Sequence, residues 1–297
     1  FVETQEGDWY AVFLTGRPLT ERGRCITGRE TAIEKVEWRD DDWLYLSCGG
    51  REAREYIEAP DLPLHKFDAP PNRINFESEK LDINFQSLRV PMTDDWVNQT
   101  DRAGYLRLYG RESLSSCFEQ SMVARRVQAQ HSVAETCVEF SPENFQQMAG
   151  LVCYYNTVHH FYLHVHGDDF GSYSGRKFLS LLVCDDHKTS EPLNAPIEVT
   201  GVEKIYLKAE FLGADLQFFY GTKKTGDGVQ WIKVGGVLDG SILSDDYVEH
   251  AERHFHPCFT GAFYGLACQD LSGQSQSADF EYFEYQEFGA EPNTSCK

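Results

Sequence analysis

Positive charge is scarce in this sequence. Lys and Arg number 27 against 47 Asp and Glu, for a formal charge of −20 at pH 7. Phosphate backbones are held by basic faces, and no Lys/Arg cluster here provides one, so nucleic acid is not an expected partner. The acidic balance suits a neutral or cationic partner. Long apolar runs are missing too. None approaches the roughly 20 residues that a membrane-spanning helix needs, so a membrane is not an expected partner either. The nine cysteines include no CxxC pair, and no Walker loop, GxGxxG, GxSxG or HExxH occurs. Helical periodicity is equally rare. The segment "SPENFQQMAG" reads either as a helical turn or as a loop entering a strand.

What is present is strand after strand. At 297 residues, 41% of them apolar and 25% charged, the chain has room for one large domain or two ordinary ones. From Phe1 to about Ser47 the runs "FVET", "WYAVFL", "TAIEKVEW" and "WLYLS" read as four short strands, enough for one propeller blade. A blade cannot bury both of its own faces, so it implies neighbours. A hairpin beginning at the first residue leads to the expectation that the chain is entered partway through a domain. Residues 58–73, "EAPDLPLHKFDAPPNR", hold four prolines and no period, and read as an extended linker. Beyond Ile74 more than ten strand-like runs follow, separated by turn signals. In "IYLKAEF", Leu207, Ala209 and Phe211 share one face while Tyr206, Lys208 and Glu210 share the other. The expected organisation is a blade over 1–57, a linker over 58–73, a two-sheet β-sandwich over 74–288 and a tail over 289–297, an all-β fold. Most cysteines sit inside apolar runs such as "LVCYY" (Cys153) and "LLVCDD" (Cys184). Buried reduced thiols are expected, and with them a reducing, cytoplasmic compartment.

Few residues stand out as chemistry. Arg29, in "GRCITGRETAIEKVEW", lies behind a glycine and just before a strand. It reads as a solvated turn residue or as a fork that binds a ligand's hydroxyls or carboxylate. The run "HHFYLHVHG" contains His159, His160, His164 and His166. His164 and His166 share a strand face and could hold a metal with a third ligand from His250, His254 or His256. The plainer alternative is packed or surface imidazoles. Phe255 and Phe259, in "RHFHPCFTGAFYGL", flank a proline-bearing loop. They read as core rings or as rings that stack on a flat apolar ligand face, of the kind sugars offer. The acidic pairs beginning at Asp94, Asp168, Asp185 and Asp245, and the triplet at 40–42, read as solvated loop ends rather than a tuned acid/base pair.

Six stretches carry a resemblance: "VETQEGDWYAVFLTGRP", "GRCITGRETAIEKVEW", "GRESLSSCFEQSMVARR", "ENFQQMAGLVCYYN", "FTGAFYGL" and "QDLSGQSQSADFEYFEY". With these motifs the chain resembles the β-xylosidases of glycoside hydrolase family 43 along nearly its whole length. The resemblance implies the last part of a five-bladed β-propeller followed by a concanavalin/lectin-like sandwich. It implies an inverting hydrolysis run by an Asp base, a Glu acid and a second Asp that tunes the acid. These lie in earlier blades, N-terminal to Phe1, so no catalytic carboxylate is expected here and the chain alone is expected to be inactive. Arg29 is implied to reach the substrate's hydroxyls in the terminal-sugar pocket. Phe259, with Phe255 second, is implied to close that pocket to long chains. A structural Ca²⁺ is implied, with Asp279, Asn75 and Glu77 as its candidate ligands. No cofactor for catalysis is expected.

The function expected is therefore the C-terminal portion of an exo-β-1,4-xylosidase, with α-L-arabinofuranosidase as a side activity. Expected partners are a xylo-oligosaccharide substrate, the N-terminal propeller portion and a second copy of the chain. Two rival readings follow from the same residues. A non-catalytic carbohydrate-binding sandwich would bind sugar without turnover, although only Trp96 and Trp231 lie in that domain to form an aromatic row. A stand-alone metal enzyme would depend on His164 and His166.

Overall fold

A computed structural model describes residues 1–21, 23–52, 54, 56–168, 175–223, 228–250 and 258–289. The chain forms a four-stranded meander and a sandwich of two eight-stranded sheets. The meander is antiparallel, in the order β1 (Val2–Glu3), β2 (Trp9–Thr15), β3 (Glu30–Trp38), β4 (Leu44–Leu46). Its strands are the four apolar runs read from the sequence, broken by Gly7 at φ +84° and by the polar turn at 39–43.

One sandwich sheet runs β18 (Val229–Asp239), β17 (Asp215–Lys223), β16 (Lys204–Leu212), β10 (His131–Glu139), β20 (Ser277–Glu287), β8 (Leu106–Tyr109), β7 (Val97–Asn98). β5 (Arg73–Ile74) pairs with β20. The other sheet runs β14 (Lys188–Ser190), β13 (Lys177–Asp185), β12 (His159–Gly167), β11 (Gln147–Asn156), β19 (Phe263–Asp270), β9 (Ser121–Arg126), β6 (Phe85–Gln86), with β15 (Ile197–Glu198) on β13. The stretch before β11 is a loop that enters a strand, not a helical turn. Among the described residues the helical segments are a 3-10 turn, Gly240–Leu243, and the short α1 (Asp245–Glu249).

Alternation along β16 works as the sequence implies. Ile205, Leu207, Ala209 and Phe211 are fully buried between the sheets, against Leu151, Phe161, Leu163 and Val165 of the facing sheet. Burying each such side chain contributes about 1.5–3 kcal/mol. Cys25, Cys137, Cys153, Cys184 and Cys268 are buried as free thiols. The linker residues 58–73 are exposed almost throughout, as a proline-stiffened strap that ends where β5 joins β20.

The core does not stop at the sandwich. Ile26, from the loop between β2 and β3, is fully buried in the same apolar cluster as Leu243, Val248 and Ala262. The blade is thus docked onto the sandwich through one loop, and the candidate site forms there.

Candidate active-site edge at the blade–sandwich junction

The β2–β3 loop carries Gly23, Arg24, Cys25, Ile26, Thr27, Gly28 and Arg29. Backbone contacts with the sandwich fix its path. The Ala262 N–H donates to the Ile26 carbonyl at 2.7 Å. The Asp246 carboxylate accepts the backbone N–H of Arg24 at 2.6 Å and of Cys25 at 3.1 Å. Arg126, ending β9, donates from Nη2 to the carbonyls of Thr27 and Arg29, both at 2.6 Å. Gly28 (φ +68°) and Gly261 (φ +71°) stand back to back. A Cβ on Gly28 would lie 2.4 Å from the Gly261 nitrogen, so each position needs glycine for space as well as for conformation. On the blade side, Arg17 forks onto Glu30 at 2.9 and 2.8 Å and also reaches the Gln128 carbonyl at 2.9 Å.

This docking brings Arg29 and Phe259 together. The Arg29 guanidinium carbon lies 5.4 Å from the centroid of the Phe259 ring, within cation–π range. The Arg29 side chain is 32% exposed and Phe259 is 55% exposed, so both face outward. Among the described residues no acceptor takes a hydrogen bond from the Arg29 guanidinium. Its one charged contact there is Asp245, whose Oδ2 lies 3.7 Å from Nη1. Phe255, the second candidate ring, lies outside the described residues, as do His254 and His256.

Asp245 and Asp246 overturn their reading as solvated loop ends. Asp245 is fully buried, and its Oδ1 accepts the Tyr155 hydroxyl at 2.7 Å and the Gly261 N–H at 3.0 Å. Burial pushes its carboxyl above the usual range, against the lowering effect of Tyr155, Gly261 and Arg29. Asp246 holds the blade loop. The available sequence signal was Ser244 followed by Asp-Asp, a helix start with acidic first-turn residues. That signal predicts α1 and says nothing of its burial.

The calcium set is not assembled. Asp279 is closed by Arg107, which donates to both carboxylate oxygens at 2.7 and 2.8 Å, and by Arg102 at 2.9 Å. Burial opposes ionisation of Asp279, yet these two guanidinium groups outweigh it and hold the carboxyl below its usual range. Asn75 Oδ1 accepts from Arg73 at 3.0 Å, and Glu77 is exposed. Ile74 of β5 pairs with Phe283, four residues from Asp279 on β20, and β5 ends there, before Asn75 and Glu77. Guanidinium charge occupies the place where a Ca²⁺ would need six to eight oxygens, so these residues do not fit the ion.

His164 and His166 do share a face of β12, with ring centroids 5.5 Å apart. Both are buried and already engaged. His164 Nδ1 meets the Tyr162 carbonyl at 3.0 Å, and His166 contacts the Gly167 carbonyl at 2.7 Å and Ser180 Oγ at 3.0 Å. His250 Nδ1 contacts the Asp246 carbonyl at 2.7 Å. No group of three or more metal-binding side chains occurs among the described residues. A row of exposed tryptophans on the sandwich is also missing there: Trp96 is fully buried, and Trp231 is half-covered with the Lys208 ammonium 4.5 Å from its ring.

A four-stranded blade docked onto a two-sheet sandwich, with an outward-facing arginine beside an exposed aromatic ring, defines the class: a propeller-like β-unit joined to a β-sandwich. The profile for the glycosyl hydrolases family 43 matches residues 1–44, and that for the beta-xylosidase C-terminal concanavalin A-like domain matches residues 73–286. The chain belongs to glycoside hydrolase family 43. It is 42% identical to a beta-xylosidase of Bacillus subtilis (strain 168), over 96% of this chain and 53% of that protein. It is 40% identical to xylosidase/arabinosidase 43B of Humicola insolens, over 96% of this chain and 51% of that one. Among solved structures, a xylan beta-1,4-xylosidase from Bacillus halodurans C-125 matches with a TM-score of 0.86 at 41% identity, over 96% of this chain and 52% of the other. The chain thus spans about half the length of the curated relatives it matches.

Proposed function

We propose that the chain is the C-terminal part of an inverting exo-β-1,4-xylosidase that also acts on α-L-arabinofuranosides and releases xylose from xylo-oligosaccharides. In this reading the blade edge forms one wall of the sugar pocket and the sandwich closes it. The observation that carries the reading is Arg29. Among the described residues its guanidinium donates no hydrogen bond, and an exposed phenylalanine stands beside it. A pentose offers hydroxyls for the fork and a C–H face for the ring. The family match and the names of the relatives support the substrate class. The family resemblance assigns the Asp base, Glu acid and tuning Asp to the preceding blades, and the described carboxylates at this junction are engaged elsewhere. Asp245 and Asp246 are taken up by the fold, and Glu30 is paired with Arg17. Buried single thiols are in keeping with a reducing, cytoplasmic setting.

The test is hydrolysis of a chromogenic β-xyloside by the protein that includes the propeller, beside the 297-residue chain alone, with intact masses checked. The longer protein is expected to turn over and the short chain to be inert. Arg29→Ala is expected to lower kcat/KM by roughly 10- to 100-fold, the worth of charge-assisted hydrogen bonds. Phe259→Ala is expected to relax discrimination against long xylan chains. Turnover by a sample containing only the short chain, or an unchanged kcat/KM in Arg29→Ala, defeats the reading.

A further inference from the structure

We propose that Asp245 is the positioning residue for Arg29. Through this carboxylate the sandwich sets where the blade's guanidinium stands. The proposal rests on the sugar-pocket reading of Arg29 and assigns a second task to the sandwich, distinct from closing the pocket.

The geometry fixes the carboxylate from two sides. Tyr155, on β11, and the Gly261 N–H, in the loop entering β19, both bind Oδ1. With one oxygen held twice, the plane of the group is set and Oδ2 has a single heading. Oδ2 is buried, receives no hydrogen bond among the described residues, and lies 3.7 Å from Arg29 Nη1. That is ion-pair distance without a hydrogen bond. Only the carboxylate of the pair is buried, and its attraction at this range draws the partly exposed guanidinium toward Oδ2. It also leaves the N–H donors of Arg29 for a ligand. The arginine's backbone is held by the same body, since Arg126 of β9 binds the Arg29 carbonyl. The Gly28–Gly261 contact then fixes the turn before it.

A buried carboxylate with one orphan oxygen does not serve stability. Removing a charge from water is unfavourable unless it is fully paired, and an amide side chain of similar size would keep an oxygen for Tyr155 and Gly261 without the charge. Burial raises its protonation range, so its ionised form comes at some expense to the fold.

The experiment uses the propeller-containing protein with Asp245→Asn, Arg29→Ala and the double variant. The asparagine oxygen can still accept from Tyr155 and Gly261. Thermal stability near neutral pH is therefore expected to be unchanged or higher in Asp245→Asn. KM for a chromogenic β-xyloside is expected to rise roughly tenfold or more, with a smaller change in kcat, as for a misplaced binding group. In the Arg29→Ala background the same substitution is expected to add nothing. Equal effects in both backgrounds, or a KM rise that follows a loss of stability, overturn the proposal. If the unsubstituted protein hydrolyses neither xylosides nor arabinofuranosides, the pocket reading has failed instead. The Arg29 side-chain N–H resonance then still decides: expected to be ordered in the parent and averaged in Asp245→Asn, and overturning the proposal if the two are alike.

Discussion

At the scale of single residues, the junction is built from positions where one atom decides the outcome. Gly28 and Gly261 touch backbone to backbone, both at positive φ. Gly261→Ala introduces a left-handed alanine, at about 1–2 kcal/mol, and a Cβ 2.6 Å from the Gly28 nitrogen and the Thr27 carbonyl carbon. Gly273 has φ +78° and nothing within 4 Å of where a Cβ would stand, so Gly273→Ala carries only the first penalty. Urea unfolding is expected to show Gly261→Ala losing clearly more stability than Gly273→Ala, roughly 2 kcal/mol or more against about 1. Equal losses would mean that the two loops part readily. The resemblance singled out Arg29 and Phe259, and the fold sets them 5.4 Å apart. Asp245 was not legible, because an Asp-Asp pair in a turn looks the same whether water or a sandwich covers it.

At the scale of elements, β12 is buried on both faces along its whole length. Its inward side, Phe161, Leu163 and Val165, follows from alternation. Its other side, His160, Tyr162, His164 and His166, is polar by composition and was open to a metal reading. Burial keeps the His160 and His164 imidazoles neutral instead: desolvation pushes His164 down to about 3 and His160 down to about 4. The unfolded chain therefore binds protons near pH 6.5 that the folded chain refuses. This contribution to stability is present above pH 6.5 and is lost as the pH falls toward those folded values. By pH 5 the loss amounts to about 2 kcal/mol for His164, at 1.36 kcal/mol per pH unit. Guanidinium midpoints are expected to fall accordingly between pH 7 and pH 5. In His164→Gln the fall is expected to be shallower, from a lower starting point. An identical pH slope in the variant would count against burial as the cause.

At the scale of the molecule, the blade exposes an apolar face. Val12 and Ile33 are directly opposed across β2 and β3 with Leu14 beside them, and they are 52%, 41% and 69% exposed. Contiguous apolar surface of this kind marks an interface. The 297-residue chain by itself is expected to self-associate in sedimentation velocity at micromolar concentration. The triple variant Val12→Thr, Leu14→Thr, Ile33→Thr is expected to shift it toward monomer. A parent chain that stays monomeric would show that this face does not drive association.

Sequence by itself determined the strands, their in–out alternation and the proline strap, because each rests on local chemistry: period-two patterning, turn glycines and proline stiffness. Only the tertiary structure decided which charges are solvated. Asp245 became a buried neighbour of Arg29, Asp246 a brace for the β2–β3 loop, and Asp279 a carboxylate sealed by Arg102 and Arg107 instead of a cation ligand. Carboxylate environments are set by partners distant in the chain: 216 positions separate Asp245 from Arg29, and 172 separate Asp279 from Arg107. No local pattern encodes a distance of that kind, because it exists only after the sheets have closed and the blade loop has docked.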